Sequence, residues 1–111
     1  MKRIYIAGKL SDDACGYIKN LHRMIETARS VRRAGFSVYV PGNDFLEGLV
    51  AGNFEYSEYF NNSQPWLAVS DAVFLTPGWE DSAGTKREIE YANLLGIPVF
   101  ENLNEMMMEM F

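Results

Sequence analysis

Short apolar runs alternate along this chain with longer stretches of helical period. Residues 2–7 (KRIYIA) begin with two basic side chains and turn apolar, the pattern of a first strand. Gly8, Lys9, Leu10 and Ser11 follow, and Asp12 or Asp13 can cap the helix expected over 14–34. In that helix Ile18, Leu21, Ile25, Ala28 and Val31 form an apolar stripe, with Lys19, Arg23, Arg29, Arg32 and Arg33 around it. Gly35 is its stop, and residues 36–40 (FSVYV) read as a second strand. A loop over 41–52 carries Pro41, Gly42, Asn43, Asp44 and Gly48, with room for a short helical turn near Leu46. Residues 54–69 predict a helix with an aromatic side of Tyr56, Tyr59, Phe60 and Trp66, kinked or broken at Pro65. These aromatics suit base stacking, but a core or subunit contact is the favoured reading.

The most informative stretch is 71–100, read as strand, loop, helix and strand. Residues 72–75 (AVFL) are apolar without a break, as in a parallel strand covered on both faces. Residues 76–84 hold Pro77, Gly78, Asp81, Ser82 and Gly84, all turn or cap types. The helix then runs to about Leu95, Gly96 stops it, and residues 97–100 (IPVF) make the next strand. Leu103, Met106, Met107 and Met110 fit one face of a last short helix, a packing or oligomer surface. The order is that of an α/β, Rossmann-like three-layer sandwich on a short, mostly parallel sheet of about four to five strands. Its ligand cleft is expected at the strand ends, among loops 8–13, 41–52 and 76–84.

One polar residue breaks the pattern. At about 100° per residue, Glu88 shares a face with Tyr91, Ala92 and Leu95, whereas Lys86, Glu90 and Asn93 lie opposite. A carboxylate in the sheet-facing stripe is costly unless it is paired, hydrogen-bonded or open to a cleft. The competing account is a first-turn glutamate that complements the helix dipole and bends out to water.

Totals narrow the classes. A chain of 111 residues with 48% hydrophobic and 23% charged content fits a single globular domain over 1–111. No apolar run approaches a membrane span, and residues 1–8 are too short in apolar content for a signal peptide, so a cytoplasmic location is expected. The single cysteine, Cys15, leaves no internal disulfide and no thiolate zinc site. No cofactor and no metal are expected, because no cluster has ligand spacing. A formal charge of −5 argues against a nucleic-acid polymer as partner and permits a small anion held by local donors. His22, at the edge of the first helix's stripe, reads as a boundary residue.

IYIAG at 4–8, AGFSVYVP at 34–41 and SDAVFLTPGWEDSAGTKREIEYANLLGIPVF at 70–100 together resemble the nucleoside 2-deoxyribosyltransferase superfamily. The likeness is greatest to a small branch found in phages and bacteria. It covers nearly the whole chain, and PGWEDSAG followed by Glu88 is its specific part. It implies cleavage or transfer of the N-glycosidic bond of a (deoxy)nucleoside or its 5′-monophosphate by a retaining route, with a glutamate nucleophile and a covalent sugar–enzyme intermediate. Glu88 aligns with that nucleophile, and Tyr5 with an aromatic residue lining the family's site. Ser82 aligns with a serine that the related nucleotide hydrolases use on phosphate, and Gly84 adds backbone donors at the helix start. Gly8 and Lys9 stand in the first, ligand-binding loop, where Lys9 suits phosphate contact or plain solvation. Trp79 or Tyr56 is placed to stack on the base. The resemblance also implies a homodimer or higher oligomer.

One departure matters. The family's catalytic aspartate falls at Ser63, eight residues before Asp71. Serine cannot protonate a leaving base as a carboxylic acid does. Asp44 and Asp81, on cleft-facing loops, are the acids available to replace it. The alternative is a non-catalytic nucleotide-binding module, sensor or sequestering protein, on the same fold; a third reading is a structural subunit with a vestigial cleft.

Overall fold

Strand and helix boundaries follow the caps and stops. The computed structural model describes residues 1–10, 12–44, 47, 50 and 56–111. The turn expected near Leu46, the Phe54 start of the second long helix and the side chain of Tyr56 lie outside these residues. Strands β1 (Arg3–Ala7), β2 (Ser37–Tyr39), β3 (Ala72–Leu75) and β4 (Val99–Phe100) alternate with helices α1 (Ala14–Arg33), α2 (Tyr56–Ala68), α3 (Ala83–Leu94) and α4 (Leu103–Met110). The α/β expectation is met.

Asp13, not Asp12, caps α1: its carboxylate accepts from the Gly16 amide at 2.8 Å. Gly35 and Gly96 follow the ends of α1 and α3 with φ of 106° and 72°, the left-handed geometry that ends a helix. Helix α2 is continuous through Pro65, so the expected break does not occur. The buried stripe of α1 is also turned from the one expected. Asn20, Met24, Ala28 and Val31 are buried, while Ile18 and Ile25 are 59% and 48% exposed. Asn20 is tolerated inside because its amide donates to the Leu10 carbonyl at 3.3 Å.

The strands pair in parallel in the order β2-β1-β3-β4. Ile4 and Tyr5 stand beside Val38 and Tyr39 on one side, and beside Ala72 and Val73 on the other. Period-two alternation splits the strand residues between two cores. Ile4, Ile6, Ala72 and Phe74 pack with Met24, Ala28 and Val31 of α1 and Met106 of α4. Tyr5, Ala7, Val73 and Leu75 pack with Leu67 of α2 and Ala92 of α3. The sheet is therefore the middle of three layers. Each fully buried aliphatic side chain contributes about 1.5–3 kcal/mol of transfer free energy. The methionine-rich end is packing material for the first core through Met106.

Chain order and sheet order diverge between β1 and β3. The loops leaving these central strands open apart there, which is where open α/β sheets hold ligands. Gly8 makes the approach possible: a Cβ on it would lie 2.6 Å from the Thr76 side chain, while the Thr76 amide donates to the Ala7 carbonyl at 2.7 Å.

Candidate functional site

A cavity of about 350 Å³ opens at the carboxyl ends of the strands. All three loops expected at the cleft reach it: Gly8, Lys9 and Leu10 after β1, Pro41 and Asp44 after β2, and residues 81–84 after β3. Strand β1 adds Tyr5 and Ile6, and helices supply the rest. Tyr17 and Met24 come from α1, Tyr59, Phe60 and Ser63 from α2, and Thr85, Arg87 and Glu88 from α3.

Glu88 faces the sheet, as the helical period requires. Its carboxylate accepts a hydrogen bond from the hydroxyl of Tyr5, a residue wholly buried on β1. Burial raises the carboxyl of Glu88 from the usual glutamate range to about 7, and the Tyr5 hydrogen bond opposes that rise. Tyr5 is itself pushed well above the usual phenol range, first by burial and then by the Glu88 charge, so it remains a neutral donor. The Ser63 hydroxyl bonds the same phenol and acts in the opposite sense. The position where the resemblance expects an acid is thus at the site, and it holds a hydroxyl. Glu90 is exposed on the far side of α3.

Ser82 caps α3. Its hydroxyl oxygen accepts from the Thr85 amide at 3.1 Å and from the Thr85 hydroxyl at 2.9 Å. With both acceptances made by Thr85, the Ser82 proton is the part left to donate. The amides of Ala83 and Gly84 belong to the first helical turn, whose N–H groups have no intrahelical acceptor. Together they form a donor-rich corner suited to an anion. Lys9 and Arg87 bring positive charge to the same cavity.

Asp44 is half-buried on the β2 side. Burial and the nearby Glu47 raise its carboxyl above the usual aspartate range, and a hydrogen bond from Asn62 opposes this. Asp81, which also lines the cavity, is exposed.

Of the residues singled out from sequence, Tyr5, Gly8, Lys9, Asp44, Asp81, Ser82, Gly84 and Glu88 meet at this one cavity. Trp79 does not. It lines a separate hollow with Glu80, Glu101 and Glu105, and its indole N–H donates to Glu101 at 2.9 Å. The 3-10 turn Trp79–Asp81 carries Asp81 to the cleft and turns the indole away from it. Trp66 is 53% exposed and stacks on Tyr39, which stacks on Tyr5, each pair with ring centroids 5.6 Å apart. His22 is on the surface, 2.7 Å from Glu26. Asp71 accepts from the Arg3 amide at 2.7 Å, at the other end of the strands. Tyr17 and Arg87 were not foreseen. Arg87 is the neighbour of Glu88 in sequence, its one available signal, while Tyr17 reaches the cavity through a tertiary placement that no local pattern encodes.

Among the described residues, no group of three or more His, Cys, Asp or Glu side chains is placed to hold a metal. No helix among them is long and apolar enough to cross a membrane.

The fold is similar to that of a 2-deoxyribosyltransferase from the psychrotolerant bacterium Bacillus psychrosaccharolyticus. The TM-score is 0.64 at 22% identity, over 95% of this chain and 90% of that one. No curated protein matches the sequence significantly. This chain has the nucleoside 2-deoxyribosyltransferase-like fold, and, since the model of the family described as a domain of unknown function (DUF4406) matches residues 2–101, it belongs to that family.

Proposed function

We propose that the protein acts on nucleosides by glycosyl transfer, and specifically that it cleaves or transfers the N-glycosidic bond of a (deoxy)nucleoside 5′-monophosphate. One observation carries the reading: the half-buried Glu88 carboxylate stands in a sugar-sized cavity and accepts a hydrogen bond from the Tyr5 phenol. A carboxylate partly shielded from water and aimed by one donor is suited to attack an anomeric carbon. Tyr5 fixes which oxygen attacks. Ser82, the Ala83 and Gly84 amides, Lys9 and Arg87 hold the phosphate. Tyr59 and Phe60 supply aromatic surface for the base, the part first assigned to Trp79 or Tyr56. Water or a second base accepts the sugar from Glu88. The reaction runs in one domain spanning the chain, in the cytoplasm, in a homodimer or larger assembly.

A second reading is a nucleotide-binding module without turnover, favoured by Ser63 at the family's acid position. Incubation with the four 2′-deoxynucleoside 5′-monophosphates, with free base measured, separates the two. The first reading expects release by the wild-type protein and a loss of at least about 10³-fold in Glu88→Ala. A thermal shift with nucleotide but no released base would establish the second instead.

A further inference from the structure

Cleaving an N-glycosidic bond needs a proton for the departing base, and the family's position for that acid is a serine here. We infer that Asp44, brought to the cavity by the segment after β2, is the general acid of this site. The inference rests on the glycosyl-transfer reading above and adds the missing catalytic residue.

Three observations favour Asp44 over the other carboxyl at the cavity. First, Asp44 sits at the end of the short Pro41–Asn43 turn and lines the same cavity as Glu88 and Ser63, whereas Asp81 follows β3 on the phosphate-binding side. Asp44 thus supplies a carboxyl to the cavity that Ser63 lines without one. Second, Asp44 is half-buried and Asp81 exposed, and desolvation is what keeps a proton on a carboxyl. Third, Asp44 has a positioning partner: Asn62, the residue before Ser63, hydrogen-bonds it and also donates to the Tyr39 hydroxyl at 3.4 Å. The groups facing Asp44 are Glu47 three residues on, Tyr17 from α1, Tyr39 from β2 and Asn62 from α2. None of these is a cation, so its proton is not driven off by a neighbouring positive charge. Lys9 and Arg87 line the cavity from other elements and are assigned to phosphate.

The step balances. A Glu88 oxygen bonds the anomeric carbon as the carbon–nitrogen bond breaks. The electron pair leaves with the base nitrogen, which takes the Asp44 proton. In the second half, water attacks the same carbon and gives its proton to the Asp44 carboxylate, and Glu88 leaves as a carboxylate.

Proton accounting gives a signature. The reactive form carries its proton on Asp44 and none on Glu88, although burial makes Glu88 bind a proton up to about pH 7. Activity on an ordinary nucleotide is therefore bell-shaped, falling above about pH 7 as the singly protonated site is lost. A substrate whose base leaves without protonation requires only ionised Glu88, so its activity climbs as pH rises toward that value.

The test compares 2′-deoxyguanosine 5′-monophosphate with its 7-methyl derivative, whose base is already cationic up to neutral pH, where the two are compared, in the wild type, Asp44→Asn and Asp81→Asn. Asp44→Asn is expected to lose about 10²-fold or more on the ordinary nucleotide, to keep its rate on the methylated one within about fivefold, and to lose the descending limb above neutrality. Because the comparison is a ratio within each variant, partial misfolding cancels. Equal losses on both substrates, no loss on either, or the substrate split appearing in Asp81→Asn would each overturn the inference. Release from neither nucleotide by the wild type strikes the glycosyl-transfer reading itself, and this inference with it.

Discussion

The two faces of the sheet are built from alternate residues of the same strands and put to opposite uses. Toward α1 and α4, β1 and β3 present Ile4, Ile6, Ala72 and Phe74 against aliphatic and methionine side chains. Toward α2 and α3, the same strands present Tyr5, Ala7, Val73 and Leu75, and at Tyr5 the second core meets the carboxyl of Glu88. One face is hydrocarbon and works by exclusion of water. The other accepts a half-buried acid beside a buried phenol, an arrangement that costs stability where the acid is charged. A one-residue shift in strand register would exchange the two faces, so the chemistry depends on the pairing of Tyr5 with Val73 and Tyr39.

The hydrocarbon face offers the largest way to break this contrast. Ile4 is fully buried, and Ile4→Ala is expected to cost about 2–5 kcal/mol in denaturant unfolding through lost transfer energy and a residual cavity. The pH dependence of that loss should be flat, because the buried residues clustered around Ile4 are all apolar. A loss under about 1 kcal/mol, or one that changes with pH, would mean that the two faces are not separate in function.

Much of this plan is legible in the sequence. Glycines 35 and 96, the Asp13 and Ser82 caps and the unbroken AVFL run are local signals, and local physics decides them. Glu88 is legible because a single carboxylate on an apolar helical stripe is a local contradiction with a tertiary cause. The orientation of α1 is not. Its apolar residues offer two adjacent stripes, and Asn20 selects between them only through the Leu10 carbonyl, contributed by the preceding loop. Tyr17 and Arg87 escape for a related reason: a polar or aromatic residue near a helix end is ordinary until other loops close a cavity around it. Trp79 shows the limit at a loop, where sequence places a residue near the cleft but not the direction of its side chain.

The polar face supplies the next effect, opposite in sign. Between pH 4.5 and about 7 the folded protein holds a proton on Glu88 that the unfolded chain has already released, so stability falls as pH rises through that window. The penalty is complete above about pH 7 and absent below 4.5. Glu88→Gln keeps an acceptor for Tyr5 and removes the ionisation. Its unfolding free energy is expected to match wild type at low pH and to exceed it by roughly 1–3 kcal/mol at pH 8.5. Thermal unfolding of both proteins across this range checks the sign. A gain independent of pH would mean that Glu88 is as well solvated in the fold as in the open chain, and the two faces would then differ in residue type alone.

The smallest effect belongs to Trp79, at the margin between the site and mere structure. Its ring packs against the second core and its N–H meets Glu101, but it stands outside the cavity that holds Glu88. Trp79→Phe retains an aromatic ring and loses one exposed hydrogen bond, a cost of about 1 kcal/mol or less. Base release, in both kcat and KM, should stay within about twofold of wild type, because no indole contact to the cavity exists to be lost. A tenfold rise in KM at unchanged stability would put the indole on the substrate, about 1.4 kcal/mol of binding that the Glu101 hydrogen bond does not supply. Then the acidic hollow beneath Trp79, lined by Glu80, Glu101 and Glu105, would have to be read as part of the site and not as the surface behind it.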